Sequence, residues 1–179
     1  MKTSETKKLI ITGMFAALIA VLAQVSLPLP SGVPVTLQTF AVALTGVVLG
    51  GKLGLAATFV YILLGAVGAP VFTGFQGGLP VIAGKTGGFI WGFLFLAFLS
   101  GAGTSSCRRA LGWLPGIAGL LICHILGTVQ FALLTGMGAA QSALLVSLPY
   151  LVKDVVSVLL AWVLGLKIRA RLARAAYLP

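Results

Sequence analysis

Residues 144–166 read LLVSLPYLVKDVVSVLLAWVLGL, an apolar run interrupted by one adjacent pair of opposite charges, Lys153 and Asp154. Asp154 is the only acidic residue after Glu5. At the middle of a membrane span an ionised side chain costs about 2.5–3.5 kcal/mol on insertion scales, so a carboxylate kept there marks a site. The rest of the chain fits a membrane setting. Of 179 residues, 59% are hydrophobic and 8% charged, with a mean hydropathy of +1.15, whereas about a quarter of residues are charged in soluble domains.

A net charge of +10 in a soluble protein would point to nucleic acid, which needs clustered Lys and Arg against its phosphates. Here the basic residues punctuate apolar runs instead: Lys2, Lys7 and Lys8, then Lys52, then Arg108 and Arg109, then Lys167, Arg169, Arg171 and Arg174. Working outward from 144–166, the apolar runs give six candidate spans, at about 9–27, 39–49, 53–68, 87–101, 114–134 and 144–166. The second and third are short for a bilayer and need extension or shielding by neighbours, with Gly50, Gly51 and Lys52 turning between them. An even number of spans puts both basic termini on one side together with Lys52, Arg108 and Arg109. Only Lys85 and Lys153 then fall on the opposite half, so both termini are expected in the cytoplasm.

The expected fold class is therefore an all-α membrane protein: a six-transmembrane-helix bundle forming one domain over 1–179, with a basic cytoplasmic tail at 167–179. Its long outer loops follow helices 1 and 3. The first run is longer than a secretory h-region, and Ser26-Leu27-Pro28 offers no cleavage site. Cys107 is expected in a cytoplasmic loop and Cys123 inside a span, so neither a disulfide nor a metal site is indicated. With no soluble catalytic domain in view, function falls to the bundle and its two outer connections.

In the first connection, PLPSGVPVTLQT at 28–39, Pro28, Pro30 and Pro34 disfavour helix. Thr36 and Gln38 alternate with apolar neighbours, as in an extended segment. The second, GAPVFTGFQGGLPVIAGKTGG at 68–88, combines Gly74, Gly77 and Gly78, which admit close backbone approach, with the apolar walls of Phe72 and Phe75. It reads as a lid or pocket floor, with a re-entrant packing loop as the alternative. Within it, Gly84-Lys85-Thr86 mimics the end of a phosphate-binding loop. That motif needs a glycine where this chain has Leu79, and an acidic magnesium partner where the chain has only Glu5 and Asp154 to offer. Nucleotide hydrolysis by this chain is therefore not expected.

Small residues at four-residue spacing, Gly46, Gly50 and Gly54 and again Gly84, Gly88 and Gly92, let helices approach closely in lipid. Gly13, Ala16, Ala17 and Ala20 make a similar face on the first helix, open either to the chain's own bundle or to another membrane protein. His124 and Gln130 are polar residues inside the fifth span and read first as hydrogen-bonded packing residues. An intramembrane enzyme would need Ser142, Ser147 or Ser157 with His124 and Asp154, and no motif supports it. In the final helix, a cap at Ser147 with Pro149 in the first turn puts Asp154 about two turns, roughly 9 Å, below the outer end. Tyr150, Asp154 and Ser157 share a face, while Lys153 is offset by about 100° and is not expected to meet Asp154. Convergence of three polar side chains favours a ligand site over an ion pair of Asp154 with Lys85.

The stretches VPVTLQTF at 33–40 and YILLGAVGAPVF at 61–72, Gly77-Gly78 leading to TGGF at 86–89, and Pro149-Tyr150 through Asp154 together resemble the BioY family. These are the biotin-specific S components of energy-coupling factor (ECF) transporters. The resemblance extends over nearly the whole chain. It implies a six-helix, non-enzymatic substrate-capture protein, multi-pass in the bacterial inner membrane, that binds biotin near the extracellular face and has no cofactor of its own. A transmembrane coupling subunit and paired cytoplasmic ATPases would be its partners, with ATP used by the latter and Ala16 and Ala20 looking like the docking face. The chain departs from the family pattern at two places. Ser157 stands where a lysine usually follows the aspartate by one turn, with Lys153 preceding it instead, and Lys85 replaces a proline before Thr86-Gly87-Gly88.

A biotin anion needs a cation or donors for its carboxylate, polar partners for its ureido ring and an apolar trough for its thioether ring. Lys85 or Lys153, Asp154 with Gln38 or Thr36, and Phe72 with Phe75 are the candidates, joined by Gly74, Gly77, Gly78, Thr86, Tyr150 and Ser157. Lys153 leads for the carboxylate because the final helix holds it, whereas Lys85 is expected at a flexible loop end. The alternatives are a binding subunit for another small vitamin, or an intramembrane enzyme built on His124 and Asp154.

Overall fold

The computed structural model describes residues 2–105 and 111–175. Cys107, Arg108, Arg109 and residues 176–179 of the basic tail lie outside the described residues. The chain is mostly helical: α1 (Lys2–Ala23), α2 (Gln38–Leu49), α3 (Gly51–Ala66), the short α4 (Leu79–Ala83), α5 (Gly87–Ala102), α6 (Leu114–Thr135), α7 (Ala139–Val146) and α8 (Leu148–Arg174). Three helical stretches, Glu5–Ala23, Gly87–Ser105 and Leu114–Thr135, are long and apolar enough to cross a membrane. The bent pair α7 and α8 is long and apolar enough only when taken together, and α2 and α3 are apolar but shorter. This is a multi-pass membrane protein.

The short helices survive because neighbours enclose them. At 1.5 Å per residue the 12 residues of α2 span only about 18 Å, well short of a hydrocarbon core about 30 Å thick. Yet α2 is apolar around its circumference and nearly all of its residues are buried, enclosed by α1, α3, α5 and α8. The bundle's close seams depend on missing side chains. A Cβ on Gly46 would overlap the backbone of Ala97 in α5, and one on Gly92 would overlap Cys123 in α6.

Two of the expected spans take a different form. The first helix ends at Ala23, and Ser26–Leu27 instead pairs antiparallel with Val35–Thr36, placing Ser26 opposite Thr36. The prolines of this connection forbid helix there, and the hairpin gives part of its backbone hydrogen bonds a home. Gln38, expected in the extended segment, instead opens α2, where its N–H donates to Thr36 Oγ1 at 3.2 Å. The last span is broken at Ser147, with α7 and α8 meeting at a bend of 52°. Pro149 has no N–H for the ladder, so the helix stops and restarts with proline in its first turn. Beyond the span, α8 continues without a break through Lys167, Arg169, Arg171 and Arg174, so this part of the basic tail is helical.

Candidate functional site

The connections 24–37 and 67–86 lie over one end of the bundle and roof a cavity of about 880 Å³ that reaches down to α2, α5, α6 and α8. Glutamines tie the longer connection in place. Gln24, just past α1, donates from Nε2 to Val71 O and Phe72 O at 3.3 and 3.2 Å and accepts the Phe75 N–H on Oε1 at 2.9 Å. This last bond holds Phe75 at φ 57, a left-handed conformation that bulky side chains rarely adopt. On the other side, Gln130 of α6 donates to Ile82 O and Gly84 O at 3.0 and 2.8 Å. The loop end carrying Lys85 is thus fastened to α6, contrary to the expectation of flexibility. Gln38 Nε2 donates to Tyr61 Oη at 2.6 Å, and Tyr61 in turn donates to Val71 O at 3.3 Å.

The floor holds the polar cluster. Asp154 is 5% exposed, and its Oδ2 lies 3.2 Å from His124 Nε2. Lys153 Nζ makes an ion pair with Asp154 Oδ1 and donates to Thr36 O at 2.8 Å. The expectation that Lys153 cannot meet Asp154 is corrected: a four-carbon stem is long enough to fold back across the 100° offset. The ion pair of Asp154 with Lys85, weighed above as the alternative to a ligand site, does not form: the carboxylate's partners are His124 of α6, Lys153 of α8 and Thr39 of α2. Oδ1 takes the Lys153 ammonium, and because a carboxylate oxygen can accept more than one hydrogen it keeps capacity for another donor. Tyr150 Oη donates to Val33 O and meets Ser31 Oγ at 3.1 Å, which binds the first connection to α8.

Most of the expected site residues line this cavity: Thr36, Gln38, Phe72, Gly74, Gly77, Lys85, Thr86, Tyr150, Lys153 and Asp154. Three do not. Phe75 is 71% exposed and points away, because its left-handed backbone turns the side chain outward. Gly78 serves as the N-cap of α4 at φ 95, and Ser157 is buried in the bundle one turn below Asp154. The apolar wall is made instead by Phe72, Phe89, Ile90 and Phe93. Phe72 is itself wedged edge-on against Tyr61, with ring centroids 5.5 Å apart. His124, expected to be a packing residue, also lines the cavity. Its position 30 residues before Asp154, on another helix, gave no local signal of their meeting.

On α1, Ala16 is 2% exposed and packs into the chain's own core, and Ala20 is half-buried. Ala16 is therefore unavailable to a partner, and the small residues that α1 presents outward are Gly13 and Ala17.

Ser147 Oγ lies 2.8 Å from His124 Nδ1, so serine, histidine and aspartate stand in a line. The order argues against nucleophilic catalysis. In such catalysis the serine faces the substrate and the aspartate sits behind the histidine. Here Asp154 and His124 line the cavity, while Ser147 is buried behind them. The line orients an acceptor and presents no nucleophile.

Comparison with known proteins gives consistent matches. The family model described as BioY family matches residues 1–174. A probable biotin transporter BioY of Pyrococcus horikoshii is 40% identical over 85% of this chain and 90% of its own length. The biotin transporter BioY of Thermotoga maritima is 39% identical over 91% of this chain and 96% of its own. Among solved structures, the S-component for biotin from an ECF-type ABC transporter superposes with a TM-score of 0.85 at 23% identity, covering 95% of this chain and 94% of that one.

Proposed function

This chain belongs to the BioY family, and on that premise we propose that it is the biotin-capturing S component of an ATP-driven ECF vitamin transporter. The observation that carries the reading is the Lys153–Asp154 pair on the cavity wall, a buried carboxylate held against a half-buried ammonium. A neutral ureido ring suits that floor. Its N–H can donate to Asp154 Oδ1, and its carbonyl can accept from Lys153. The thioether ring then lies against Phe72, Phe89, Ile90 and Phe93.

Charge balance assigns the other end of the ligand. The charged residues lining the cavity are Lys85, Lys153 and Asp154, and Lys153 is already committed to Asp154 and Thr36. A ligand carboxylate on the floor would have to compete with Asp154 for Lys153 and would suffer like-charge repulsion. At the exposed Lys85 it meets a cation with no ion-pair partner among the described residues, on backbone that Gln130 holds at the neighbouring Gly84. We therefore assign carboxylate recognition to Lys85 in place of Lys153.

Around this site we place six membrane crossings in a single domain over 1–179, with α2 and α3 as short crossings and α7 and α8 as one broken crossing. The distribution of Lys and Arg supports both termini on the cytoplasmic side of the cell membrane, with the cavity facing out. A coupling subunit in the membrane and paired ATPases would complete the transporter, and the exposed Gly13 and Ala17 offer the smooth face on α1 that close helix contact needs.

The test is retention of radiolabelled biotin by the purified chain in detergent, with competition by other vitamins and chemical analysis of what is released. Saturable binding, displaced by unlabelled biotin and returning it unchanged, supports the reading. Preferential displacement by another vitamin would reassign the substrate, and a chemically altered product would reopen the enzymatic alternative.

A further inference from the structure

The cavity floor contains one feature that biotin capture does not by itself require: the line Ser147–His124–Asp154, assembled from α6, the α7–α8 break and α8. All three residues are under a tenth exposed. Ser147 occupies the N-cap position of α8, where a serine hydroxyl ordinarily satisfies a free helix N–H, yet it makes no such bond. Its hydroxyl is turned to His124 Nδ1 at 2.8 Å instead. The imidazole is held from the side by Phe89, edge-on at 5.7 Å between centroids.

Hydrogen-bond chemistry orders the line. Asp154 is paired with Lys153, and its carboxylate can only accept, so the nitrogen facing it, His124 Nε2, carries a hydrogen. In the neutral ring Nδ1 is then the acceptor, and the Ser147 hydroxyl donates to it. The carboxylate's rotation is thereby set: Oδ2 faces the imidazole and Oδ1 faces the Lys153 ammonium, with capacity to accept a further hydrogen.

We propose that His124 and Ser147 are positioning residues for specificity, which hold Asp154 so that Oδ1 is presented as an acceptor and the site selects a ligand bearing a ring N–H. The inference rests on the biotin reading above and deepens it. Neither residue touches the ligand's N–H; both act through Asp154.

The experiment compares the affinities of biotin and of a biotin methylated on a ureido nitrogen, using the full-length chain in detergent with folding checked by thermal melting. Wild type should prefer biotin. His124→Gln, whose amide Nε2 can replace the ring donor, should keep most of that preference. His124→Asn, whose shorter amide cannot reach Oδ2, and His124→Phe should each weaken biotin by about tenfold and the methylated ligand by less than about twofold. Ser147→Ala should move the ratio the same way by about threefold, since it removes only the bond that favours one tautomer. Folded variants that weaken both ligands equally, or a glutamine variant no better than asparagine, would overturn the positioning role and leave His124 as packing. Should His124→Phe fail to fold, the contrast between glutamine and asparagine decides. A wild-type chain that binds no biotin overturns the underlying reading as well, whereas biotin binding with an unmoved ratio overturns this inference alone.

Discussion

The corner where α2, α3 and α5 meet and the cavity between α2, α6 and α8 are built from equally apolar helices by opposite means. At the corner, backbone lies on backbone: Gly46 abuts Ala97, Gly54 abuts Gly46, and Gly101 abuts the Gly50–Gly51 turn, so no volume remains. Arg169 closes it, donating to Val47 O and Val48 O at the end of α2 at 3.4 and 2.9 Å. At the cavity, side chains and tied loops do the bounding, and every charge buried there has a partner. The contrast teaches that in lipid, where apolar contact between helices gains little over contact with acyl chains, glycine sets the rigidity and polar groups set the space for a ligand.

The largest test attacks the corner. Gly46→Val should destabilise the bundle by about 3 kcal/mol, because overpacking a backbone contact cannot be relieved by rotating a side chain. It should be seen as a lower thermal midpoint and poor recovery of monodisperse protein. Gly13→Val, where an added Cβ meets nothing within 4 Å, is the matched control and should not lower the midpoint. Equal effects of the two would dissolve the distinction between the regions.

At the cavity the expected losses fall on binding instead of folding. Asp154→Asn should weaken biotin at least tenfold, about 1.4 kcal/mol, in a protein that still melts cooperatively. Calorimetry finding wild-type affinity would remove Asp154 from the site. A smaller effect separates the two lysines. Lys85→Met should narrow the gap between biotin and its uncharged amide by about fivefold, since a charge-assisted contact exists only for the acid. Lys153→Met should weaken acid and amide alike, because that ammonium serves the Asp154 end. The reverse pattern would return carboxylate recognition to Lys153.

The smallest effect returns to the corner. Arg169→Met removes the cation at the C-terminal carbonyls of α2 and should cost about 0.3–1 kcal/mol of stability with no change in biotin affinity. A change in affinity would mean that the corner and the cavity are coupled through α2.

The sequence by itself determined the membrane setting, the family resemblance and the ranges of α2, α3, α5 and α6 to within two residues, because apolar runs and their glycine and proline boundaries are local properties. It also singled out Asp154, since a lone carboxylate in an apolar run stands out before any folding. Only the tertiary structure decided which side chains meet it. His124 comes from another helix, and helix rotation within the bundle, which no local pattern encodes when apolar residues surround the helix, turned Ala16 and Ser157 inward to the core. Phe72 and Phe75 look alike in sequence, yet one is 2% and the other 71% exposed. The reason is a backbone set by a bond from Gln24, some 50 residues away in the chain, that holds Phe75 in the left-handed region and points its ring away from the site.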